Sequence, residues 1–498
     1  MLRYRTSRIL LLLTPLALVS CGAKASGSDS LISSSISSAT PSYLGSGISA
    51  EAMKLSETTE YQGQIPMAST GTLKLLVVPV EMGGERSFTA DELQRIKDVF
   101  FGDSLSSKSD TNYFSLAEYY HRTSLGKLTI TGQVSDVLKC TEKVSDLEAD
   151  SSYVPGIPAY YVRQNNTADF LNSFDTDKDG YVDGVCFIYS AAFTSSDAYY
   201  WAFTNTFAKQ SGTDKPSLGR HIWMSINFLQ STGYANDGHT IIHEFGHMLG
   251  LRDYYPSDNA YLPLGGMSMM DYNILDHDPY SKMMLNWAEP QYYQLPSGAK
   301  TTITLKPFET SNQVILLNDT WDHSALDEYL LLEYYTPTEL NALDSKKQYI
   351  ATTAQRPIGF QKAGIKIYHV DSRVAKLLLD STTSTYSFAS YVETIPSTIE
   401  SGTLYQIGAN NTDKYSYTDA RRQGRFKQVG LVENKTVNNL QNGATADDDS
   451  LFHEGDTFDS SDSIYLPNGL FNDKTAIGYR ISVGSLQGDG ATITLSKE

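Results

Sequence analysis

Residues 240–255 read TIIHEFGHMLGLRDYY and place His243 and His247 four positions apart. On an α-helix, residues four apart lie on the same face, so both imidazoles can bind one zinc ion. Glu244 follows the first histidine and can act as general base toward a water at that metal. Such a motif is expected by chance only about 0.01 times in a chain of this composition. The pattern predicts a helix that carries a zinc site.

The residues after this helix extend the pattern. Gly250 lies three residues after His247, and Asp253 lies three residues further on. The run HEFGHMLGLRD resembles the long zinc signature of the metzincin-like peptidases. The resemblance implies that the helix ends at Gly250, that the chain turns back there, and that Asp253 is the third zinc ligand.

A second resemblance lies downstream, in the run SMMDY at residues 268–272. This run is similar to the Met-turn of the same peptidases. The resemblance implies that Met270 forms an apolar floor beneath the zinc, and that Tyr272 binds zinc or stabilises an oxyanion. The alternative for Tyr272 is a tyrosine that only packs within its loop.

An acidic loop, FDTDKDGYVDG at residues 174–184, predicts a calcium site. Calcium binds six to eight oxygen atoms, and carboxylates alternating around a tight turn supply most of them. Cys186 stands where an EF-hand has its last glutamate, so we expect a calcium loop outside a helix–loop–helix. The alternative is a solvated acidic turn. The predicted ligands are the side chains of Asp175, Asp177, Asp179 and Asp183 and the carbonyl of Tyr181.

The composition limits the possible partners. The 498-residue chain has a formal net charge of −18, which argues against binding nucleic acid or an anionic membrane through its own charge. With 40% hydrophobic and 19% charged residues the chain is expected to fold. We expect a monomer whose partners are protein or peptide substrates.

The N-terminus predicts export and a lipid anchor. A basic start, MLRYRTSR, precedes an apolar run that is too short to span a bilayer and ends at Cys21. This end resembles the lipobox of bacterial lipoproteins, which implies lipidation of Cys21 and attachment to the cell surface outside the cytoplasm. Residues 1–21 would be the signal peptide and lipobox, and the Ser-rich residues 22–69 a flexible tether or a pro-segment.

We predict an α+β fold in two parts. Residues 70–295 alternate strand-like and helical patterns and would form a mixed α/β catalytic domain that contains the zinc helix, the Met-turn and the calcium loop. Thr89 and Ser115 open the helical runs with capping-box patterns. Residues 296–498 contain several strand-like runs separated by polar connections, which predict a β-rich, sandwich-like domain.

The remaining histidines and cysteines have less specific interpretations. His239 lies one turn before His243, and we expect it either to support the site from outside the metal's contacts or to be exposed. His121 and His277 are expected to be structural. Cys140 and Cys186 could form a disulfide or remain as buried thiols.

Eight stretches between about residues 72 and 460, which include the zinc helix, the Met-turn run and the acidic loop, together resemble the immune inhibitor A family of secreted bacterial zinc metalloproteases. The resemblance implies a zinc-dependent endopeptidase with structural calcium and, in many members, an N-terminal segment that keeps the enzyme latent. Two alternatives are a non-catalytic surface adhesin and a zinc hydrolase that acts on cell-wall peptides. The stretches that carry the resemblance are EYYHRTSLGKLTITG, FDTDKDGYVDG, HEFGHMLGLRDYY, SMMDYN, HDPYSKMMLNW, DEYLLLEYY, GIKIYHVD and DSLFHEGDTF.

Overall fold

A computed structural model describes most of the chain after residue 66. The described residues are 42–43, 67–102, 111–144, 155–193, 198–210, 214–256, 261–322, 324–351, 355–383, 385–393, 395–396, 398–412 and 427–498. The predicted signal peptide, the lipidation site Cys21 and nearly all of the Ser-rich segment lie outside these ranges.

These residues contain nineteen strands and eight α-helices. The strands are β1 (Ser42–Tyr43), β2 (Gly71–Glu81), β3 (Leu128–Val134), β4 (Leu138–Lys139), β5 (Gly184–Tyr189), β6 (Phe203–Thr206), β7 (Arg220–Ser225), β8 (Gln291–Tyr293), β9 (Lys300–Leu305), β10 (Ile315–Leu317), β11 (Glu328–Tyr335), β12 (Gly364–Asp371), β13 (Val374–Asp380), β14 (Thr385–Val392), β15 (Thr403–Ile407), β16 (Val429–Val432), β17 (Thr457–Asp459), β18 (Tyr479–Gln487) and β19 (Gly490–Lys497). The helices are α1 (Ala90–Phe101), α2 (Leu116–Thr123), α3 (Gly156–Asn165), α4 (Ala168–Asn172), α5 (His239–Met248), α6 (Met269–Tyr272), α7 (Pro279–Met284) and α8 (Phe308–Ser311).

The first sheet has the strand order β3-β2-β5-β7-β6, and β4 also pairs with β2. All of its pairings are parallel except that of β6, which runs antiparallel to β7 at one edge. Parallel strands are normally covered on both faces, and β5 and β7 are buried at every position. Alternate residues of the strands belong to two apolar clusters, one on each face. The helix α5 packs on the face that includes Ile222 and Met224.

The caps of the first two helices confirm the sequence patterns that predicted them. Thr89 accepts a hydrogen bond from the backbone N–H of Glu92, and the Glu92 side chain accepts one from the N–H of Thr89. Ser115 accepts a hydrogen bond from the N–H of Glu118 and so caps α2. These bonds satisfy N–H groups that have no partner within the helix, which fixes where each helix begins.

The second sheet, which we name the middle sheet, has the order β1-β8-β10-β11-β12-β16. The third, the outer sheet, has the order β17-β18-β19-β9 and is antiparallel throughout. One apolar cluster joins them, with Leu332 and Ile367 from the middle sheet and Ile481 and Ile493 from the outer sheet. The two sheets therefore pack face to face, as in a sandwich.

The other face of the middle sheet joins the apolar cluster that also covers the first sheet. Leu331 and Tyr368 belong to this cluster together with Met284 and Ile222. The middle sheet is thus a layer between two cores, which explains why all eight residues of β11 are buried. The strands β14-β13-β15 form a smaller fourth sheet.

The observed class is mixed α/β with several sheets, which confirms the coarse prediction of the fold. The boundary predicted between residues 295 and 296 stays a prediction. Within the described residues no helix is long and apolar enough to cross a membrane.

Cys140 and Cys186 are both free and buried, so the structure contains the thiol alternative and not the disulfide. They belong to different apolar clusters, on opposite faces of the first sheet. Burial raises the pKa of the Cys140 thiol to about 12, and it also raises the pKa of Cys186. Neither thiol is therefore a reactive thiolate at neutral pH.

Candidate functional site

The helix α5 ends in a turn that reverses the chain after the two histidines. Gly250 has a φ of +100°, in the left-handed region that favours glycine. The N–H of Leu251 donates to the carbonyl of Gly246 at 3.0 Å, and the N–H of Gly250 donates to the carbonyl of His247 at 3.0 Å. This pair of bonds is the Schellman arrangement, and it sends the chain back toward the helix face.

The turn brings Asp253 against both histidines. Asp253 Oδ1 lies 3.1 Å from His243 Nε2 and 3.2 Å from His247 Nε2. Two ligands of a tetrahedral zinc ion with bonds of 2.0–2.1 Å are about 3.3 Å apart. The three side chains that the sequence predicted as zinc ligands are therefore assembled at the spacing that such an ion requires.

The Nδ1 atom of each imidazole determines which nitrogen of the ring carries the hydrogen. His243 Nδ1 lies 2.9 Å from the carbonyl oxygen of Met269, and His247 Nδ1 lies 2.9 Å from the carbonyl oxygen of Leu251. A carbonyl only accepts, so each Nδ1 must carry the hydrogen when the ring is neutral. Each Nε2 then directs a lone pair toward Asp253, which is the form that binds a metal.

Without a metal, His247 and Asp253 behave as a partly buried ion pair. Burial lowers the pKa of His247, but the charge of Asp253 and its hydrogen bond outweigh burial and raise that pKa to about 9. Burial raises the pKa of Asp253, but His247 and His243 hold it well below its ordinary value. Metal binding must therefore displace a proton from this cluster.

Glu244 lies on α5 beside the edge strand β6. The Thr204 hydroxyl lies 2.8 Å from the carbonyl oxygen and 3.0 Å from Oε2 of Glu244, so it can donate to either. Only 8% of Glu244 is exposed. The carboxylate that the sequence predicted as general base is thus almost enclosed, with a hydroxyl from β6 beside it.

Tyr255 is a candidate residue that the sequence analysis missed. Its hydroxyl hydrogen-bonds to Asp253, and its ring centroid lies 6.2 Å from that of His243. Burial, followed by the charges of Asp253 and Glu244, raises the pKa of Tyr255, so its hydroxyl stays protonated and can donate. The only signal in the sequence is its position, two residues after the third predicted ligand.

Tyr272, the tyrosine that the sequence predicted for this role, lies in other surroundings. The guanidinium of Arg356 lies over its ring, 4.5 Å from the centroid. Among the described residues, Tyr272 has no hydrogen bond or ring contact with His243, His247 or Asp253, and its role at the metal stays a prediction.

Met270 packs against α5 from the side of the predicted Met-turn. A Cβ placed on Gly246 would lie 2.5 Å from Met270 Sδ and 3.1 Å from its Cε. Gly246, the residue before the second histidine, therefore lets the methionine approach the helix backbone. This packing brings the segment at 268–272 against the centre of α5.

His239 is buried, so the expectation that it could be exposed is wrong. Its Nδ1 lies 2.6 Å from Asp237 and its Nε2 lies 3.1 Å from Asp344. Its ring stacks between those of Tyr113 and Tyr349, at centroid distances of 3.4 and 3.8 Å. Although burial lowers its pKa, the two carboxylates outweigh burial and raise it to about 9.

His277 and His121, which the sequence predicted to be structural, differ in their exposure. His277 is buried against the rings of Tyr119, Tyr120 and Trp287, in agreement with a structural role. Burial lowers its pKa well below the ordinary value, so the ring is neutral. His121 is exposed on α2.

The acidic loop brings three of its predicted ligands together. Oxygen atoms of Asp175, Asp177 and Asp183 lie within 4.8 Å of one another. The Asp175 Oδ1 atom is buried without a hydrogen-bond partner, which suits an oxygen directed toward a cation. Asp179 lies outside this trio, and its Oδ1 accepts from the N–H of Tyr181 at 2.7 Å.

Asp183 also has a structural role in this loop. Its carboxylate accepts hydrogen bonds from the N–H of Lys74 at 2.7 Å and from Thr176 at 2.7 and 2.8 Å. These bonds join the loop to β2. The trio is an oxygen-only donor set of the kind that calcium prefers, and the histidine–aspartate cluster is a mixed nitrogen and oxygen set that suits zinc.

The chain matches no protein-family model and is not significantly similar to any curated protein. The chemistry of the two clusters is therefore argued from their residues alone.

Proposed function

We propose that this protein is a zinc-dependent endopeptidase with a metzincin-like catalytic part. The observation that carries the proposal is the joint placement of three groups. Asp253 lies within 3.2 Å of both Nε2 atoms, Glu244 lies beside them on the same helix, and β6 runs past Glu244 at the edge of a sheet. The ligand set, the base and a place for an extended substrate are thus close together.

The metal-binding residues would be His243, His247 and Asp253. Zinc bound there supplies a Lewis acid for the scissile carbonyl and an activated water as nucleophile. Glu244 takes a proton from the attacking water and delivers it to the leaving amine. Thr204 holds the Glu244 carboxylate on the side of β6. Tyr255 keeps its single proton, and for catalysis the hydroxyl would exchange its hydrogen bond to Asp253 for one to the oxygen that becomes negative.

The substrate would lie along β6. Among the described residues this strand pairs only with β7, so its outer edge presents backbone donors and acceptors. An extended peptide can pair with such an edge and thereby present its backbone beside the catalytic groups. This arrangement favours a protein or peptide chain over a compact substrate.

The remaining parts of the proposal concern ions and location. We propose that Asp175, Asp177 and Asp183 hold a structural calcium ion, and that Met270 is the floor of a Met-turn. We also propose attachment outside the cytoplasm through a lipid on Cys21, and membership of the immune inhibitor A family. These statements rest on the sequence patterns together with the donor sets described above.

The test is casein hydrolysis by the chain from Gly22 onward, loaded with zinc and calcium. Beside it would run Glu244→Ala and, as a matched control, Glu289→Ala, which removes an exposed glutamate. We expect the wild type and Glu289→Ala to cleave casein, and Glu244→Ala to retain one zinc per chain but lose at least about 10³-fold in rate.

Other outcomes would separate the alternatives. If all three chains hold zinc and none cleaves casein, even after limited proteolysis of the N-terminal segment, the adhesin or the cell-wall hydrolase is favoured. Release of peptides from purified peptidoglycan then identifies the hydrolase. If zinc is absent from all three chains, the proposed metal site is wrong.

A further inference from the structure

A cavity of about 170 Å³ lies beside the candidate zinc site. One wall is the edge strand β6, and another is the end of α5 with the turn that follows it. Its volume corresponds to about five water molecules, which is enough for the five side-chain atoms of a glutamate. Its lining includes Thr204, Thr206, Arg220, His247, Arg252 and Asp253.

Arg220 enters this cavity from β7. Its neighbours on the same face of the strand, Ile222 and Met224, pack in the cluster beneath α5, so its side chain also points toward that helix. Thr206 pairs with Arg220 across the two strands, and Thr204 pairs with Ile222. Both threonines therefore face the same side as Arg220.

The guanidinium of Arg220 is buried without a carboxylate partner. Only 7% of the residue is exposed, and one of its N–H groups donates to the carbonyl of Met248 at the end of α5. Among the described residues, no aspartate or glutamate oxygen lies within 4 Å of it. Burial lowers the pKa of Arg220 to about 9, so it is still charged at neutral pH. A buried charge of this kind is costly unless an anion reaches it.

The charge of Asp179 acts on Arg220 and raises its pKa, but no oxygen of Asp179 lies within 4 Å of the guanidinium. The other described charged groups around the cavity do not supply a paired anion either. Asp253 faces the cavity, but it is paired with His243 and His247. Arg252 adds a second guanidinium to the lining. The hydroxyls of Thr204 and Thr206 are neutral. The cavity is therefore a small, polar and cationic space beside the atoms that would cut the substrate.

We propose that this cavity is a subsite for an acidic side chain of the substrate, at a residue beside the scissile bond, and that Arg220 determines this specificity. The inference rests on the proposed peptidase function, whose substrate class it narrows to sites flanked by glutamate or aspartate. A carboxylate can accept two hydrogen bonds from the fork of a guanidinium, which a neutral amide of the same size cannot match.

The test measures binding as well as cleavage. Calorimetry on the full zinc-loaded chain, in the Glu244→Ala background to prevent turnover, would use pairs of decapeptides that differ only by glutamate or glutamine at one position. For one of the varied positions, we expect the peptide with glutamate to bind at least about tenfold more tightly than the peptide with glutamine. In the same pairs, the wild type should show a similar preference in kcat/KM.

Variants of Arg220 and of Thr206 test whether Arg220 causes the preference for glutamate. Arg220→Gln should abolish the difference between the two peptides, and Arg220→Lys should keep part of it. Thr206→Glu leaves Arg220 and its bond to Met248 in place but puts a carboxylate opposite it, and this variant should also abolish the difference. Thr206→Gln, of the same size and neutral, should keep it. Thermal denaturation of each variant checks that the fold is retained.

Equal or undetectable binding of the paired peptides at every position would overturn the subsite, as would a preference that survives both Arg220→Gln and Thr206→Glu. Casein hydrolysis measured in parallel separates the two proposals. Hydrolysis without the acidic preference contradicts the subsite alone, whereas the preference in binding without hydrolysis contradicts the peptidase alone.

Discussion

Each side chain at the candidate site is positioned by a group from another element. The carbonyls of Met269 and Leu251 orient the two imidazoles, and the Thr204 hydroxyl lies against Glu244. Such partners hold each side chain in one rotamer, so little reorganisation would be needed during the proposed reaction. The tyrosine beside Asp253 belongs to the same set of supporting groups.

The two tyrosines near the site give a direct prediction. Tyr255→Phe should lower kcat by about 10–100-fold while zinc content and KM change little, because the lost hydroxyl serves the developing negative charge. Tyr272→Phe should lower kcat by less than about threefold, since Tyr272 packs under Arg356 and not against the ligands. Steady-state kinetics with one fluorogenic peptide compares them. The reverse order of effects would restore Tyr272 to the role that the sequence predicted.

His239 predicts a pH-dependent contribution to stability. Its pKa of about 9 in the folded protein lies above the ordinary value of 6.5. A raised histidine pKa stabilises the fold fully below pH 6.5, and the contribution is lost as pH rises through 9. His239→Gln should therefore reduce the free energy of unfolding by about 3 kcal/mol at pH 6 and by clearly less at pH 9.5.

Urea unfolding of the wild type and His239→Gln at both pH values measures this difference. His121→Gln is the matched control, because that histidine is exposed and should change stability by less than about 0.5 kcal/mol. An equal loss at both pH values would mean that the buried ring contributes through packing between Tyr113 and Tyr349 and not through its charge.

The sequence alone could predict most of the residues that form the candidate site. The spacing of His243, His247 and Asp253 follows from helix periodicity and a glycine turn, and both are local. Tyr255 and Arg220 could not be found in the same way. Their positions at the site depend on how β7 and the segment after α5 fold against each other, which no local pattern encodes.

At the scale of elements, the acidic loop is a compact unit that links α4 to β5. Burial, followed by the charges of neighbouring carboxylates, raises the pKa of Asp175 and Asp179. A carboxyl group whose pKa is raised by folding is neutral in both states well below pH 3.8, and it reduces stability as pH rises through its folded pKa. The loop is thus under electrostatic strain at pH 7 that a cation relieves.

Calcium should therefore raise the melting temperature. At a concentration 100 times its Kd, the expected stabilisation is about 2.7 kcal/mol, or about 3 °C for a chain of this size that unfolds as one unit. Asp177→Asn should remove most of this shift, because it takes a charge from the trio. Asp136→Asn, at an exposed position, is the control. Scanning calorimetry with calcium or with chelator measures both, and an unchanged shift in Asp177→Asn would exclude the loop as the binding site.

Strands with a strong apolar pattern were predicted correctly, whereas a short and polar strand was not. The run GTLKLLVVPV became β2, and EYLLLEYY became β11, because long apolar runs must be buried. The strand β6 reads FTNT, which is short and mostly polar, and only its pairing with β7 makes it a strand. It lies at the edge of the sheet, where burial imposes little pattern on the residues.

At the scale of the molecule, the middle sheet joins the two predicted parts. The cluster beneath α5 includes residues on both sides of position 295, among them Met284 and Leu331. Asp344 accepts hydrogen bonds from Tyr113 at 3.0 Å and from the N–H of Leu275 at 2.7 Å. Sequence patterns show where strands begin but not which cores they share, so the extent of this joint core could not be predicted.

The shared core predicts that the two parts unfold together. Differential scanning calorimetry of the chain from Gly22 onward should show one transition whose calorimetric and van't Hoff enthalpies agree. A chain that ends at residue 295 should fail to fold, because it leaves one face of its core uncovered. Two separate transitions, or a soluble and folded product from the shorter chain, would support independent domains with a boundary near 295.

The two ends of α5 are held by residues that are far apart in the chain. Asp344 binds His239 at its first turn, and Arg220 binds the carbonyl of Met248 at its last. Synthesis proceeds from the N-terminus, so residues 243–253 emerge well before residue 344. A site built in this way is complete only after residue 344 has been synthesised, about two thirds of the way along the 498-residue chain. If the protein is the peptidase proposed above, the ribosome and its surroundings are thereby protected from digestion by a shorter, unfinished chain.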